Sequence, residues 1–297
     1  MIRSWRRTLL AAALSLATVA TGLTGAAPAS AEAPIGPASG TFTLTGDPDD
    51  PITRGQSFSF STASGMTASL FGNPFEAQAQ VKDPVTGVGF FLALAPVGGP
   101  LVAGTTYTGA TAWPFMEGTP GMILNGNGAT CDGVLTGSFT LQDITWGPYN
   151  YLEKLDATFE QHCAGAAPAA RGEVHLTNPP GPPALNPQIA LAPTGTITQP
   201  AGTATVRGTL TCGQSASVNL TGSLVQSGRV GWVAPLTLQC VPGQAVPWST
   251  TTAAPPNGAR FRPGDVEVRI FLDSRDPFYD EPVRVTVGPV TLPLKND

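Results

Sequence analysis

Lysine is nearly missing from this chain. It occurs only at Lys82, Lys154 and Lys295, and charged residues make up 12% of the 297 positions, about half the usual share of roughly 25%. The formal net charge is −5. A chain so poor in cations has no general attraction for phosphate backbones or anionic headgroups, which argues against nucleic acid and membrane surfaces as partners. Histidine occurs twice, as His162 and His175. Gly-x-Ser-x-Gly, His-Glu-x-x-His and the P-loop pattern are all missing, and with them the common routes to hydrolysis and nucleotide binding. The four cysteines include no Cys-x-x-Cys pair, so redox and zinc sites lack their usual ligand spacing. No cofactor is expected. Helical periodicity is almost absent.

What is present begins at the N-terminus. Arg3, Arg6 and Arg7 precede an uncharged run from Thr8 to about Ala26, followed by Ala29-Ser30-Ala31 before Glu32. A cationic start, a short apolar stretch and small residues at the cut form a secretory signal peptide over residues 1–31. A membrane anchor needs roughly 20 apolar residues, and Ser15, Thr18, Thr21 and Gly22 dilute this run. The Arg6-Arg7 pair also fits a twin-arginine signal, although paired arginines are ordinary in any such leader. Cleavage takes the formal charge from −5 to −8. The expected location is secreted or extracellular, where disulfides persist.

Five prolines fall within Asn178–Pro187, a stretch that supports neither helix nor central strand. It is expected to be a semi-rigid linker between an N-terminal unit, 38–177, and a C-terminal unit, 188–297. Both units read as β. Phe42/Leu44, Phe58/Phe60, Ala204/Val206/Leu210 and Val266/Val268/Ile270/Leu272 alternate with polar neighbours, as strands with one buried face do. Tyr151–Cys163 carries Leu152, Leu155 and Phe159 at helical spacing, but Leu155/Ala157/Phe159 also alternate, and a strand ending at Cys163 is preferred. The expected fold is all-β, with two disulfide-bonded β-sandwich (Ig-like) domains.

Each unit holds two cysteines. The simplest pairing is Cys131–Cys163 and Cys212–Cys240, though four cysteines allow three connectivities. With strands near 216–226 and 230–240, a flat meander would hold Cys212 and Cys240 about 9–10 Å apart. A disulfide needs Cα atoms within about 7 Å. The second bridge is therefore expected to cross between two layers, with Trp232 or Trp248 packed on it.

Pro114-Phe115, Pro120-Gly121-Met122, Gly126–Cys131, Leu135–Phe139 and Phe159–Cys163 resemble a module of exported proteins of high-GC Gram-positive (actinobacterial) bacteria. Gly208–Cys212 with Gln226 is similar to another small disulfide-bonded module of that repertoire. The resemblance implies export and a β-sandwich, and no activity.

Several constellations invite chemistry. Glu153, Asp156 and Glu160 form the densest carboxylate group, and paired carboxylates serve glycosidases. In a strand, however, Asp156 and Glu160 share a face while Glu153 points away. Asp47, Asp49 and Asp50 form an acidic loop that offers a weak calcium site; Asp273, Asp276, Asp280 and Glu281 form a second. Asp beside Pro is equally a turn former. Trp113, Trp146, Tyr149 and Tyr151 lie in turn-rich stretches, and their rings either stack on a ligand or cover the ends of a sandwich. Leu191–Gly195 matches a sortase pentapeptide, but a β region follows it instead of an apolar helix and basic tail. The expected function is a non-enzymatic, monomeric binding or structural protein for a polysaccharide or an extracellular protein. A carboxylate hydrolase is the remaining alternative.

Overall fold

The computed structural model describes residues 36–131, 133–253 and 260–297, so the signal-peptide expectation lies outside the described residues. Glu32–Asp297 form one compact unit. Among the described residues no helix is long and apolar enough to cross a membrane.

The strands of the first half are β1 (Ser39–Gly46), β2 (Ser57–Ser61), β3 (Thr67–Asn73), β4 (Glu76–Lys82), β5 (Gly89–Ala95), β6 (Thr105–Ala112), β7 (Gly121–Gly126), β8 (Leu135–Trp146), β9 (Leu152–Cys163) and β10 (Ala169–Thr177). They form one sheet in the order β2-β1-β10-β9-β8-β6-β7-β5-β4-β3. Its two ends are consecutive in the chain, joined by the short 3-10 turn Thr62–Ser64. The sheet therefore folds back on itself. Phe42, Leu44, Phe90, Leu92, Leu124, Phe139 and Leu141 fill the space between its layers. Each fully buried side chain of this kind contributes about 1.5–3 kcal/mol of transfer free energy.

One buried amide joins the layers. β7 meets β6 only at Thr111/Ala112 with Gly121/Met122, which leaves the Leu124 backbone without a strand partner on that side. Gln161 of β9, fully buried, supplies one. Its Oε1 accepts from Leu124 N at 2.6 Å and its Nε2 donates to Leu124 O at 2.9 Å. A buried backbone pair left open would cost about 1–3 kcal/mol per group.

The second half contains β11 (Gln188–Leu191), β12 (Gly195–Thr198), β13 (Thr203–Thr211), β14 (Ala216–Gln226), β15 (Arg229–Trp232), β16 (Leu236–Cys240), β17 (Val246–Thr251), β18 (Gly264–Arg275) and β19 (Pro282–Asn296). The order is β11-β13-β12-β19-β18-β14-β15, with β16 on β14 and β17 on β13. The sortase-like pentapeptide is the break between β11 and β12. A bridge between Val233 and Thr252, with Ala234 N donating to Thr251 O, brings the β15–β16 side back to β17. The core here includes Val206, Leu220, Leu224, Trp248, Phe261, Val268 and Ile270.

Both expected disulfides are formed, with Cα atoms 5.1 Å apart for Cys131–Cys163 and 6.1 Å for Cys212–Cys240. Cys212 follows β13 and Cys240 ends β16. Along the main strand order these are separated by β12, β19, β18 and β14, and the bridge joins them across the folded-over interior. Trp248 is buried in the same core, whereas Trp232 is 64% exposed. The ambiguous segment is a strand, β9, and it ends at Cys163.

The proline stretch is held along its length. Asn178, buried, donates to Leu70 O and Leu152 O, both at 2.7 Å. Leu185 is fully buried, its N–H is bound to Asp276 and its carbonyl accepts from Gly213 N.

Candidate functional site

Two remote loops meet over this proline stretch. The first joins β8 to β9 through a 3-10 turn, Pro148–Asn150. Tyr149 sits there at φ 52°, ψ 30° and Asn150 at φ 64°. Asparagine tolerates this left-handed region. Tyrosine pays about 1 kcal/mol or more for it, and such positions cluster at ligand clamps.

The second loop joins β18 to β19 and is built on Asp276. This carboxylate is fully buried. It accepts from Phe278 N at 3.0 Å and Tyr279 N at 3.1 Å, which fixes a local Asx turn. Leu185 N at 2.8 Å and Gln214 Nε2 at 3.0 Å complete its shell. Asp276 thereby joins the far end of the proline stretch to the loop that carries two rings.

The rings converge. Tyr149 and Tyr279 have centroids 5.3 Å apart, Tyr151 and Phe278 5.7 Å, and Tyr151 and Tyr279 5.9 Å. All are tilted or edge-on, the arrangement that ring quadrupoles favour. Tyr151 OH donates to Pro179 O at 3.0 Å and Tyr279 OH to Pro182 O at 2.6 Å. A Cβ at Gly181 would collide with the Tyr279 hydroxyl, so glycine is what permits this approach. An open cleft of about 330 Å³ remains beside the rings, with Asn73, Asn150 and Glu281 on its walls.

Burial pushes the Tyr279 phenol up to about 12, and the nearby Asp276 charge adds to the effect. Burial likewise raises Tyr149 and Tyr151. The neutral phenols are thus favoured in the folded chain. The stability they contribute is fully present below the ordinary tyrosine value of about 10, and it is lost as pH rises through about 12 for Tyr279. A tyrosinate absorbance titration should show a late step that disappears in Tyr279→Phe. A single step near pH 10 for every tyrosine would contradict this.

The other expected residues lie elsewhere. Trp146 packs against the first core as a cover. Trp113 lies beside Phe91, centroids 6.2 Å apart, and donates to Glu76 Oε2 at 3.2 Å. Asp47, Asp49 and Asp50 do not converge. Asp47 accepts from Ala169 N and Arg171, Asp50 Oδ2 accepts from Thr53 N and Oγ1, and Asp49 is exposed. Among the described residues no three acidic, histidine or cysteine side chains gather as a metal-ligating group. These aspartates organise turns and strand ends instead, and Asp276 of the second acidic loop does the same.

The carboxylate trio is dispersed. Glu153 lies against Gly147, Asp156 pairs with Lys154 at 2.7 Å, and Glu160 binds His162 and Arg171. Partial burial raises the Glu160 carboxyl, but the His162 and Arg171 hydrogen bonds outweigh it and hold the group below its ordinary value. His162 also reaches Ala167 O at 3.0 Å, and His175 faces Asp156 and Glu173. A groove of about 510 Å³ over this face is lined by Thr43, Thr45, Ser138, Thr140 and the Arg171–Glu160 pair.

Phe278 and Tyr279 are absent from the expected ring residues, although the two adjacent rings follow an Asp-Pro step in the second acidic loop. Neither the protein-family models nor the curated proteins contain a match to this chain.

Proposed function

We propose that the chain is an exported, non-enzymatic carbohydrate-binding protein of two Ig-like β-sandwich domains, and that the aromatic cleft at their junction holds the sugar. The observation that carries this reading is the convergence of Tyr149, Tyr151, Phe278 and Tyr279 beside a cleft walled by Asn73, Asn150 and Glu281. Rings stack on the apolar C–H faces of sugars, and amides and carboxylates bind hydroxyls; such mixed clefts favour domain junctions. Two disulfides and the leader-like N-terminus support an oxidising, extracellular setting. The dispersed carboxylates favour binding over hydrolysis.

A protein partner is the second reading, and Trp232 with Val230, 64% and 52% exposed on β15, is the observation behind it. Strand addition at β19 is disfavoured, because Pro282 and Pro289 lie on its open edge.

The test is retention of Glu32–Asp297 on insoluble peptidoglycan, chitin and cellulose, beside Tyr149→Ala and Trp232→Ala. Retention that Tyr149→Ala lowers about tenfold, the scale of 1.4 kcal/mol, and that Trp232→Ala leaves intact, supports the cleft. Retention lost only in Trp232→Ala, or none on any matrix, counts against it.

A further inference from the structure

We infer that the ligand is a linear, neutral polysaccharide that continues from the cleft, past the β3–β4 turn, onto the outer face of β3, β4, β5 and β7. This rests on the carbohydrate reading above and extends it to a second platform.

The sequence builds that face by alternation. In Glu76-Ala77-Gln78-Ala79-Gln80-Val81 the small and apolar residues are buried and the polar ones are not. Phe90, Leu92 and Leu94 of β5 enter the core, so Phe91 and Ala93 lie on the opposite face, where Phe91 is half-buried and Ala93 is fully covered by its neighbours. The register sets Phe71 opposite Gln78 and Gln78 opposite Ala93. The next rank is Gln80, Phe91 and Asn125. Glu76 lies among them, with one oxygen held by Gln78 Nε2 at 2.6 Å and the other by Trp113 Nε1 at 3.2 Å. Trp113 tilts at 50° to Phe91, and Phe71 is 45% exposed. Rings thus flank a row of amides and one carboxylate across strands spaced about 4.8 Å apart. A groove of about 410 Å³ runs on beside Phe91, Gln80 and Asn125.

Continuity with the cleft comes through one hairpin. Gly72 and Asn73 line the cleft, Phe71 precedes them on β3, and Asn73 pairs with Glu76. Each site alone has room for only a short piece of ligand, whereas a chain following the hairpin would engage both. Charge selects the class. Residues 38–177 carry 12 Asp and Glu against four Lys and Arg, which repels uronate- or phosphate-bearing polymers.

The test compares a disaccharide, a hexasaccharide and the insoluble polymer of cellulose and of chitin on Glu32–Asp297. The hexasaccharide should bind at least about tenfold more tightly than the disaccharide, since a second platform acts at high effective concentration. Phe71→Ala, at an exposed edge position, and Trp113→Ala should each remove that gain and leave disaccharide binding unchanged. Tyr149→Ala should weaken both. Equal binding of the two lengths, or full polymer retention by both Phe71→Ala and Trp113→Ala, would overturn the second platform while the cleft reading stands. Binding of an anionic polymer alone would overturn the neutral assignment. Failure of every glycan to bind would remove both readings together.

Discussion

Replacing Asp276 with alanine should lower the stability of the chain by about 3–5 kcal/mol, on the scale of breaking a buried charged network. The carboxylate is fully buried and receives Leu185 N, Phe278 N, Tyr279 N and Gln214 Nε2. Hydrogen bonds to a charged group contribute about 1.5–3 kcal/mol each, and they do not add independently. Alanine would leave three backbone N–H groups without their acceptor. Water entering the cavity would recover part of the loss, which sets the upper bound. Asp276→Asn retains one oxygen and should lose less. Urea unfolding measures the change. A second readout is proteolysis within 178–187, which should accelerate in the alanine variant because Leu185 loses its anchor. A loss below about 1 kcal/mol would show that the shell is dispensable.

The second large effect concerns Cys212–Cys240. The paired alanine variant should lose about 3.5 kcal/mol in the chain-entropy account of a loop of this length, whose ends are 28 positions apart. Removal of the two buried sulfurs adds a packing loss. The same account gives a similar figure for Cys131–Cys163, 32 positions apart. The two bridges should differ in where the damage falls. Trp248 shares a core with Cys212 and Cys240, so its fluorescence should report early unfolding in the Cys212/Cys240 variant. Loss of Cys131–Cys163 should act on Trp146, which packs on the first core. Calorimetry on both variants checks the magnitude, and an unchanged melting temperature in either would refute it.

Alternation at period two was legible in β1, β2, β13 and β18, and it marks β9 as a strand despite its helical spacing. The cysteine pairing was readable as the simplest one, since each half of the chain holds two cysteines, and strand geometry then set the second bridge across the interior, because a flat meander cannot bring Cys212 and Cys240 close enough. The strand order was not readable. Gln161 reaches Leu124, and Asp276 reaches Leu185, across separations that no local period records. Tyr149 and Tyr151 were visible as an aromatic turn, yet the rings that complete the cleft come from the β18–β19 loop. The aspartates were ambiguous for a physical reason. The same oxygens that ligate calcium also accept backbone N–H groups in turns, and only the fold decides between them.

The anchored proline stretch has a mechanical consequence. A tether that is free along its length acts as a hinge, and a pull on the two ends of the chain straightens it first. Here Tyr151 holds Pro179, Tyr279 holds Pro182 and Asp276 holds Leu185. A stretching load runs in series through both halves and this stretch, and the few hydrogen bonds of these fastenings are its weakest links beside the long strand ladders. Drawn from both ends, the chain would resist as one stiff body. It would then yield in one early step as the fastenings release, and lengthen by no more than the ten residues between Asn178 and Pro187.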